Sequence, residues 1–399
     1  MINIRILILS TTDLKKAAYS RPHHIIKYLS KSHEVTAICM NAWWLVDENN
    51  NPLYDHNFND NVKLIYLTNL KVNPGLQEII FLTKIKKYTS KIHNNFDVCI
   101  LFDSIFSGYF LANRIKKNGV PIVFDIDDDI PEMVKTSLSI SYSLRYIGWF
   151  ISKILLRKII KISDKITFTL DTLKEIYEIP VDKSQCVPNG VDTHLFDCNY
   201  SSNKLKEELG LKINYFIIGY VGVLQEWVDL DPVFIALKSI DDPIKMLIVG
   251  EEGKLKENQE LVKNYGISDK VIFIGTIEYN QVPQYIALMD VCLVPFKINF
   301  ITENALPLKL FEYMACKKPV ISTPLSGVKK TVGNNILYAS NPEEFKQHVL
   351  NLCFDVKLRK KYGEVNRQFV EKNFEWIKIC EEFEELLIKV ASSNNKVNQ

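Results

Sequence analysis

The chain has 399 residues, 47% hydrophobic and 24% charged, which is enough for two domain-sized cores and excludes a disordered or small disulfide-stapled protein. Its 49 Lys+Arg against 47 Asp+Glu leave a formal charge of +2, too even for nucleic-acid binding driven by bulk electrostatics. Cys39, Cys99, Cys186, Cys198, Cys292, Cys316, Cys353 and Cys380 show no C-x-x-C or Cys/His spacing, so reduced, buried small hydrophobes are expected rather than zinc ligands or a disulfide framework.

Met1 to Leu9 opens as a strand-like run with neither a basic n-region nor a cleavage site, which gives a cytoplasmic expectation. From there short β-branched runs alternate with helix-sized segments, the pattern of parallel sheets covered by helices. The first series of strands is expected at 4–9, 34–39, 63–67, 98–102, 121–125, 165–170 and 185–187. The second is expected at 216–221, 245–249, 271–274, 291–294, 319–322 and 335–338. The polar stretch 197–203 separates them, so the predicted fold is α/β with two doubly wound, Rossmann-like domains, 1–197 and 204–372. An amphipathic helix at about 373–391, packing back toward the first domain, and a frayed polar tail at 392–399 complete the chain.

Ligands of open parallel sheets bind at the carboxyl ends of strands, so two such domains are expected to face each other across a cleft. The loop after the first strand holds no glycine, and Gly75 is the first glycine of the chain, so the dinucleotide turn G-x-G-x-x-G is absent there. No P-loop occurs either. That loop ends in Ser20-Arg21-Pro22-His23-His24. Arg21 suits an anionic acceptor such as a lipid-linked phosphate, with His24 orienting it; alternatively Pro22 starts a helix and Arg21 and His23 are merely exposed, the preferred reading for His23.

The run 145–161, RYIGWFISKILLRKIIK, mixes large apolar residues with five basic ones. Its charges exclude a bilayer span, and two readings remain: core packing, or a helix lying on an anionic membrane surface.

The segment 298–323, INFITENALPLKLFEYMACKKPVIST, turns from a polar loop into a helix near Leu308, with Pro307 at or near its first position. The amides of Leu308, Lys309 and Leu310 are then unpaired, and Lys309 adds a positive charge where a structural helix gains more from an acid. That combination suits a diphosphate, with Glu312 one turn on to accept hydrogen bonds from a ribose. The bland alternative is that both are solvated charges.

This segment resembles the C-terminal signature of family 4 glycosyltransferases of the GT-B fold, whose form is a glutamate, seven residues, then E-x-M-A-x-x-x-P-V-I. Glu312 to Ile321 matches the second half, and Asn304, preceded by Glu303, stands at the first glutamate. Val187 to Phe196 is similar to the family's P-N-G-V-D-x-x-x-F turn, and Gly219 to Gly222, Leu247 to Gly250 and Val271 to Thr276 look like strands and turns of its donor domain. The family's G-R-L and K-G cations are missing, their places being taken by Val223, Val228 and Asp229. Lys309 is expected to compensate, and together with Trp227 it resembles the teichuronic-acid-type and surface-polysaccharide subgroup.

The resemblance implies a retaining, metal-independent transfer of a hexose-type sugar from a nucleotide-diphosphate sugar to a surface glycan or lipid-linked acceptor, with no cofactor. The implied donor site is Gly222, Gln225, Trp227, Gly250, Thr276, Ile277, Asn304, Leu308, Lys309 and Glu312. Asp127, Lys309 and Glu303 stand at the chemistry, with Arg21, His24 and Asp128 toward the acceptor. Asp125-x-Asp127 formally matches a metal-binding D-x-D, discounted because that motif belongs to the other transferase fold; these aspartates also suit a helix cap. A nucleotide-sugar epimerase and a catalytically silent nucleotide-sugar-binding or scaffold protein are the competing functions.

Overall fold

A computed structural model of the chain describes residues 3–46, 49–91, 96–137, 141–199, 203–250 and 253–395. They divide into two compact units, Met1–Pro188 with Ile377–Gln399, and Asn189–Trp376.

The first unit holds seven strands, β1 (Arg5–Ser10), β2 (Glu34–Cys39), β3 (Val62–Tyr66), β4 (Val98–Phe102), β5 (Ile122–Ile126), β6 (Lys165–Phe168) and β7 (Ser184–Cys186). They form one parallel sheet in the order β3-β2-β1-β4-β5-β6-β7. β4 and β5 are buried at every position, as expected where helices cover both faces; β4 is apolar throughout, and β5 is apolar except at Asp125. The second unit repeats the plan with β8 (Phe216–Val221), β9 (Ile244–Val249), β10 (Val271–Gly275), β11 (Val291–Val294), β12 (Val320–Ser322) and β13 (Leu337–Tyr338), ordered β10-β9-β8-β11-β12-β13 and again parallel. In each sheet the strand order reverses beside the unit's first strand, which sets a crevice at the carboxyl ends of β1 and β4, and of β8 and β11. All thirteen expected strands are present, with ends shifted by a residue or two.

Three expectations are corrected. The division between units falls after Pro188, ahead of the 197–203 stretch, of which 200–202 lie outside the described residues. The last helix runs Trp376–Asn395, so 392–395 continue the helix where a frayed tail was expected; 396–399 lie outside the described residues. From Ile377 that helix belongs to the first unit, where Tyr28 Oη donates to Glu384 at 3.3 Å. Finally, Cys198 and Cys316 form a disulfide inside the second unit, with Cα atoms 5.0 Å apart and a sequence separation of 118. Spacing along the chain gave no sign of it. Cys186 is exposed and Cys353 half-buried, while Cys39, Cys99, Cys292 and Cys380 are the buried thiols expected. Among the described residues no helix is long and apolar enough to cross a membrane.

Candidate functional site

In the second unit, Gly222 and Gly250 directly follow β8 and β9 and Gly275 ends β10, with φ angles of +131°, +127° and +84° in a region L side chains rarely adopt. The Gly222 N–H donates to Val249 O and the Gly250 N–H to Gly275 O, both at 2.8 Å, so the three turns stack backbone on backbone. A Cβ on Gly250 would fall 2.8 Å from the carbonyl carbon of Gly222. The strand ends therefore form a shelf without side chains.

Above it stands the helix Leu308–Ala315, anchored by the buried Leu310, Phe311, Tyr313 and Met314. Its first residue is Leu308, as expected, and Pro307 immediately before it is the N-cap residue. The Leu310 N–H donates to Pro307 O at 3.1 Å, so that amide is not available to a ligand. Of the three expected, only the amides of Leu308 and Lys309 lack a protein acceptor among the described residues. No acidic side chain lies in the first turn.

Lys309 Nζ donates to Tyr220 Oη at 2.7 Å and sits 4.3 Å above the Tyr220 ring and 5.4 Å from that of Phe296. Tyr220 Oη in turn donates to Val223 O at 2.9 Å, which fixes the direction of its lone pairs. A Cβ at Gly222 would come within 2.5 Å of Lys309 Nζ, so the ammonium lies directly on the glycine shelf. Burial lowers its pKa to about 8, with the Glu312 charge opposing. Glu312 is buried and accepts from Tyr279 Oη at 2.8 Å. Burial raises its pKa to about 7, against that hydrogen bond and the charge of Lys309. A cation, two open amides and a buried carboxylate thus share one helix beside bare backbone, an arrangement chemically suited to a phosphorylated polyol.

The loop following Gly222 runs beside 295–297. Val228 pairs with Phe296, the Asp229 N–H donates to Pro295 O at 2.7 Å, and the Lys297 N–H donates to Trp227 O at 2.8 Å. Gln225 and Trp227 are half-buried on this loop. Buried Val228 stands where the family has a cation; Lys254, whose N–H donates to Leu224 O at 2.9 Å, brings one near, but it pairs at 3.5 Å with both Glu226 and Glu257. Thr276 and Ile277 directly follow β10.

Glu303 and Asn304 are engaged locally. Glu303 accepts from the Ser326 hydroxyl, and Asn304 Nδ2 donates to Phe300 O at 2.8 Å. Of the expected donor residues the structure therefore unites Gly222, Gly250, Leu308, Lys309 and Glu312. Sequence reasoning missed Tyr220, Tyr279 and Phe296; the available signal was a hydroxyl-bearing aromatic two residues before a turn glycine, and another in the loop after a strand.

The first unit corrects several expectations. Arg21 is fully buried, its Nε and Nη2 donating to the two oxygens of Asp125 at 2.8 and 2.9 Å and its Nη1 to Pro188 O at 3.0 Å. Burial is the largest single influence and lowers its pKa, but the charge and hydrogen bonds of Asp125, together with the Asp127 charge, more than offset it and the net shift is upward. Neither the acceptor-binding nor the exposed reading of Arg21 holds, because the guanidinium is consumed in closing an internal ion pair. Asp125 also accepts from the Thr167 hydroxyl, so both its oxygens are engaged inside the fold. His23 is buried, not exposed: its Nε2 bonds to Leu14 O at 3.2 Å, its Nδ1 accepts from the Ser20 N–H at 3.1 Å, and burial drops its pKa to about 3. His24 is buried with its ring edge-on to Tyr19, and burial likewise holds it neutral, so it offers an anion no charge.

At the end of β5, Asp129 caps the following helix by accepting from the Glu132 N–H at 3.0 Å. The cap expected of this cluster thus belongs to Asp129, leaving Asp127 and Asp128 half-buried beyond the strand. The Asp127 N–H donates to Asp103 Oδ1 at 3.0 Å, and burial with the charges of Asp127 and Asp129 raises Asp128 to about 7.

Residues 201–369 match the family described as Glycosyl transferases group 1. An uncharacterized glycosyltransferase of Methanocaldococcus jannaschii is 24% identical over 56% of this chain and 56% of its own length. TuaH of Bacillus subtilis, named for teichuronic acid biosynthesis, is 28% identical over 43% of each. The chain thus spans about half the length of these curated relatives. The crystal structure of Alr3699/HepE of Anabaena in complex with UDP-glucose is 15% identical and superposes over 97% of this chain and 100% of that one, with a TM-score of 0.73. The match to Glycosyl transferases group 1 lies within the second unit, and the chain as a whole has the GT-B fold.

Proposed function

We propose that the protein is a glycosyltransferase that moves a hexose-type sugar from a nucleotide-diphosphate sugar to a surface glycan or lipid-linked acceptor, with retention and without a metal. The observation that carries this reading is Lys309: a cation in the first turn of its helix, laid on Gly222 and bonded to a phenol in place of a carboxylate. The charge it lacks is the one a donor diphosphate brings. The Leu308 and Lys309 amides and the Lys309 ammonium take the diphosphate, Glu312 the ribose, and the Thr276–Ile277 loop the base. As the glycosidic bond to phosphate breaks, the leaving oxygen gains negative charge beside this preorganised cation and accepts the acceptor's proton. Asp127 and Asp128 contact sugar or acceptor hydroxyls, and Glu303 and Asn304 the sugar, once released from their local bonds. HepE's UDP-glucose complex supports the donor class, and TuaH's name supports the polysaccharide acceptor and the teichuronic-type subgroup.

The test is calorimetric titration of UDP-, GDP- and dTDP-sugars. One of them binds the wild type, and Lys309→Ala weakens it by roughly ten- to hundredfold, the value of a hydrogen bond to a charged group. Equal affinity of Lys309→Ala and wild type for that donor overturns the site.

A further inference from the structure

The helix Tyr142–Ile162 in the first unit has two faces with different occupants. Leu155, Leu156, Ile159 and Ile160 are buried and satisfy its packing against the unit. The opposite face carries Ile147, Phe150 and Ile154, which at spacings of three and four residues form one ridge and remain 55%, 60% and 38% exposed. Core packing leaves this ridge unexplained. The same face continues toward the helix C-terminus as Arg157, Lys158 and Lys161. None of these three has a carboxylate within ion-pair distance among the described residues, and Lys158 rests 5.5 Å over the Tyr109 ring. The helix contains five Lys or Arg and no Asp or Glu. Glu132, on the helix packed against it, is taken by Trp149 Nε1 at 2.7 Å and Lys135 at 2.9 Å.

We propose that this face docks the protein on an anionic lipid bilayer, the Ile147–Phe150–Ile154 ridge entering the headgroup boundary and Arg157, Lys158 and Lys161 meeting lipid phosphates. Charge selects the occupant. A second copy would set like charges against one another, whereas an anionic surface complements them and also takes the apolar ridge. The inference stands on this surface alone and needs no donor or acceptor bound elsewhere.

The test is sedimentation of the full chain with vesicles of phosphatidylcholine mixed with phosphatidylglycerol, compared with pure phosphatidylcholine. The protein pellets with the anionic vesicles and is released by salt. Replacing the cations together (Arg157→Gln, Lys158→Gln, Lys161→Gln) lowers partitioning roughly a hundredfold. Phe150→Ser lowers it several-fold; all four side chains lie on the surface, so the thermal melt is unchanged. Equal pelleting with neutral vesicles, none with anionic vesicles at low salt, or indifference to these substitutions overturns the proposal. So does a wild-type dimer in equilibrium ultracentrifugation that Phe150→Ser converts to monomer, which would assign the ridge to self-association.

Discussion

Arg21 in the first unit and Lys309 in the second are both cations at the carboxyl end of a parallel sheet, and they do opposite things. Arg21 lies fully buried in a two-pronged ion pair with Asp125. Lys309 has no carboxylate within ion-pair distance among the described residues; it meets the Tyr220 phenol, the Phe296 ring and a glycine, and burial, opposed by the Glu312 charge, pulls its pKa down to about 8. A cation with its countercharge inside the fold serves stability; one whose countercharge must come from outside is poised for a ligand.

The strongest way to break this contrast is to remove both side chains and measure denaturant unfolding. Arg21→Ala strands Asp125 in the interior and is expected to cost about 3–5 kcal/mol, while Lys309→Ala costs less than about 1 kcal/mol because it removes a desolvated charge. Similar losses for the two would erase the distinction.

The Leu308–Ala315 helix is also tied at its far end, where its C-cap Cys316 is bonded to Cys198. Converting both cysteines to serine is expected to lower stability by about 2–4 kcal/mol, visible as a lower unfolding midpoint without added reductant. Donor affinity should fall far less, since the ligand-facing turn lies at the other end.

Gly222→Ala sharpens the assignment further. The added methyl meets Lys309 Nζ at 2.5 Å and forces a φ of +131° on an L residue. Donor affinity should weaken by about 1–3 kcal/mol in calorimetry; Gly266→Ala, another positive-φ position but with nothing within 4 Å of its Cβ, should leave binding unchanged.

The smallest effect is a pH profile. In the proposed site Lys309 meets the diphosphate as its ammonium, so donor affinity is expected to fall as pH rises through about 8, approaching about tenfold per unit. The ribose contact proposed for Glu312 needs the carboxylate, so affinity is also expected to fall as pH drops through about 7. Titrations across pH should therefore give a maximum between these values, and Lys309→Ala should lose the alkaline limb.

Much of the architecture was readable before any coordinates. The strands at 34–39, 98–102, 216–221 and 291–294 agree to the residue, because short β-branched runs between helix-length segments admit few other folds. The start of the Leu308–Ala315 helix and the presence of Lys309 and Glu312 upon it were legible for the same local reason. Which amides stay open was not, since the Leu310 to Pro307 bond depends on a tightened first turn.

What the amino-acid order determined alone was periodicity, and with it two parallel sheets and the residues available at the ends of their strands. Only the tertiary structure decided how each charge is used. Arg21 and Asp125 are 104 residues apart, Tyr220 and Lys309 are 89, and Cys198 and Cys316 are 118. Whether a cation is neutralised inside the protein or left for a ligand depends on which distant strand end folds against it, and local sequence carries no record of that contact.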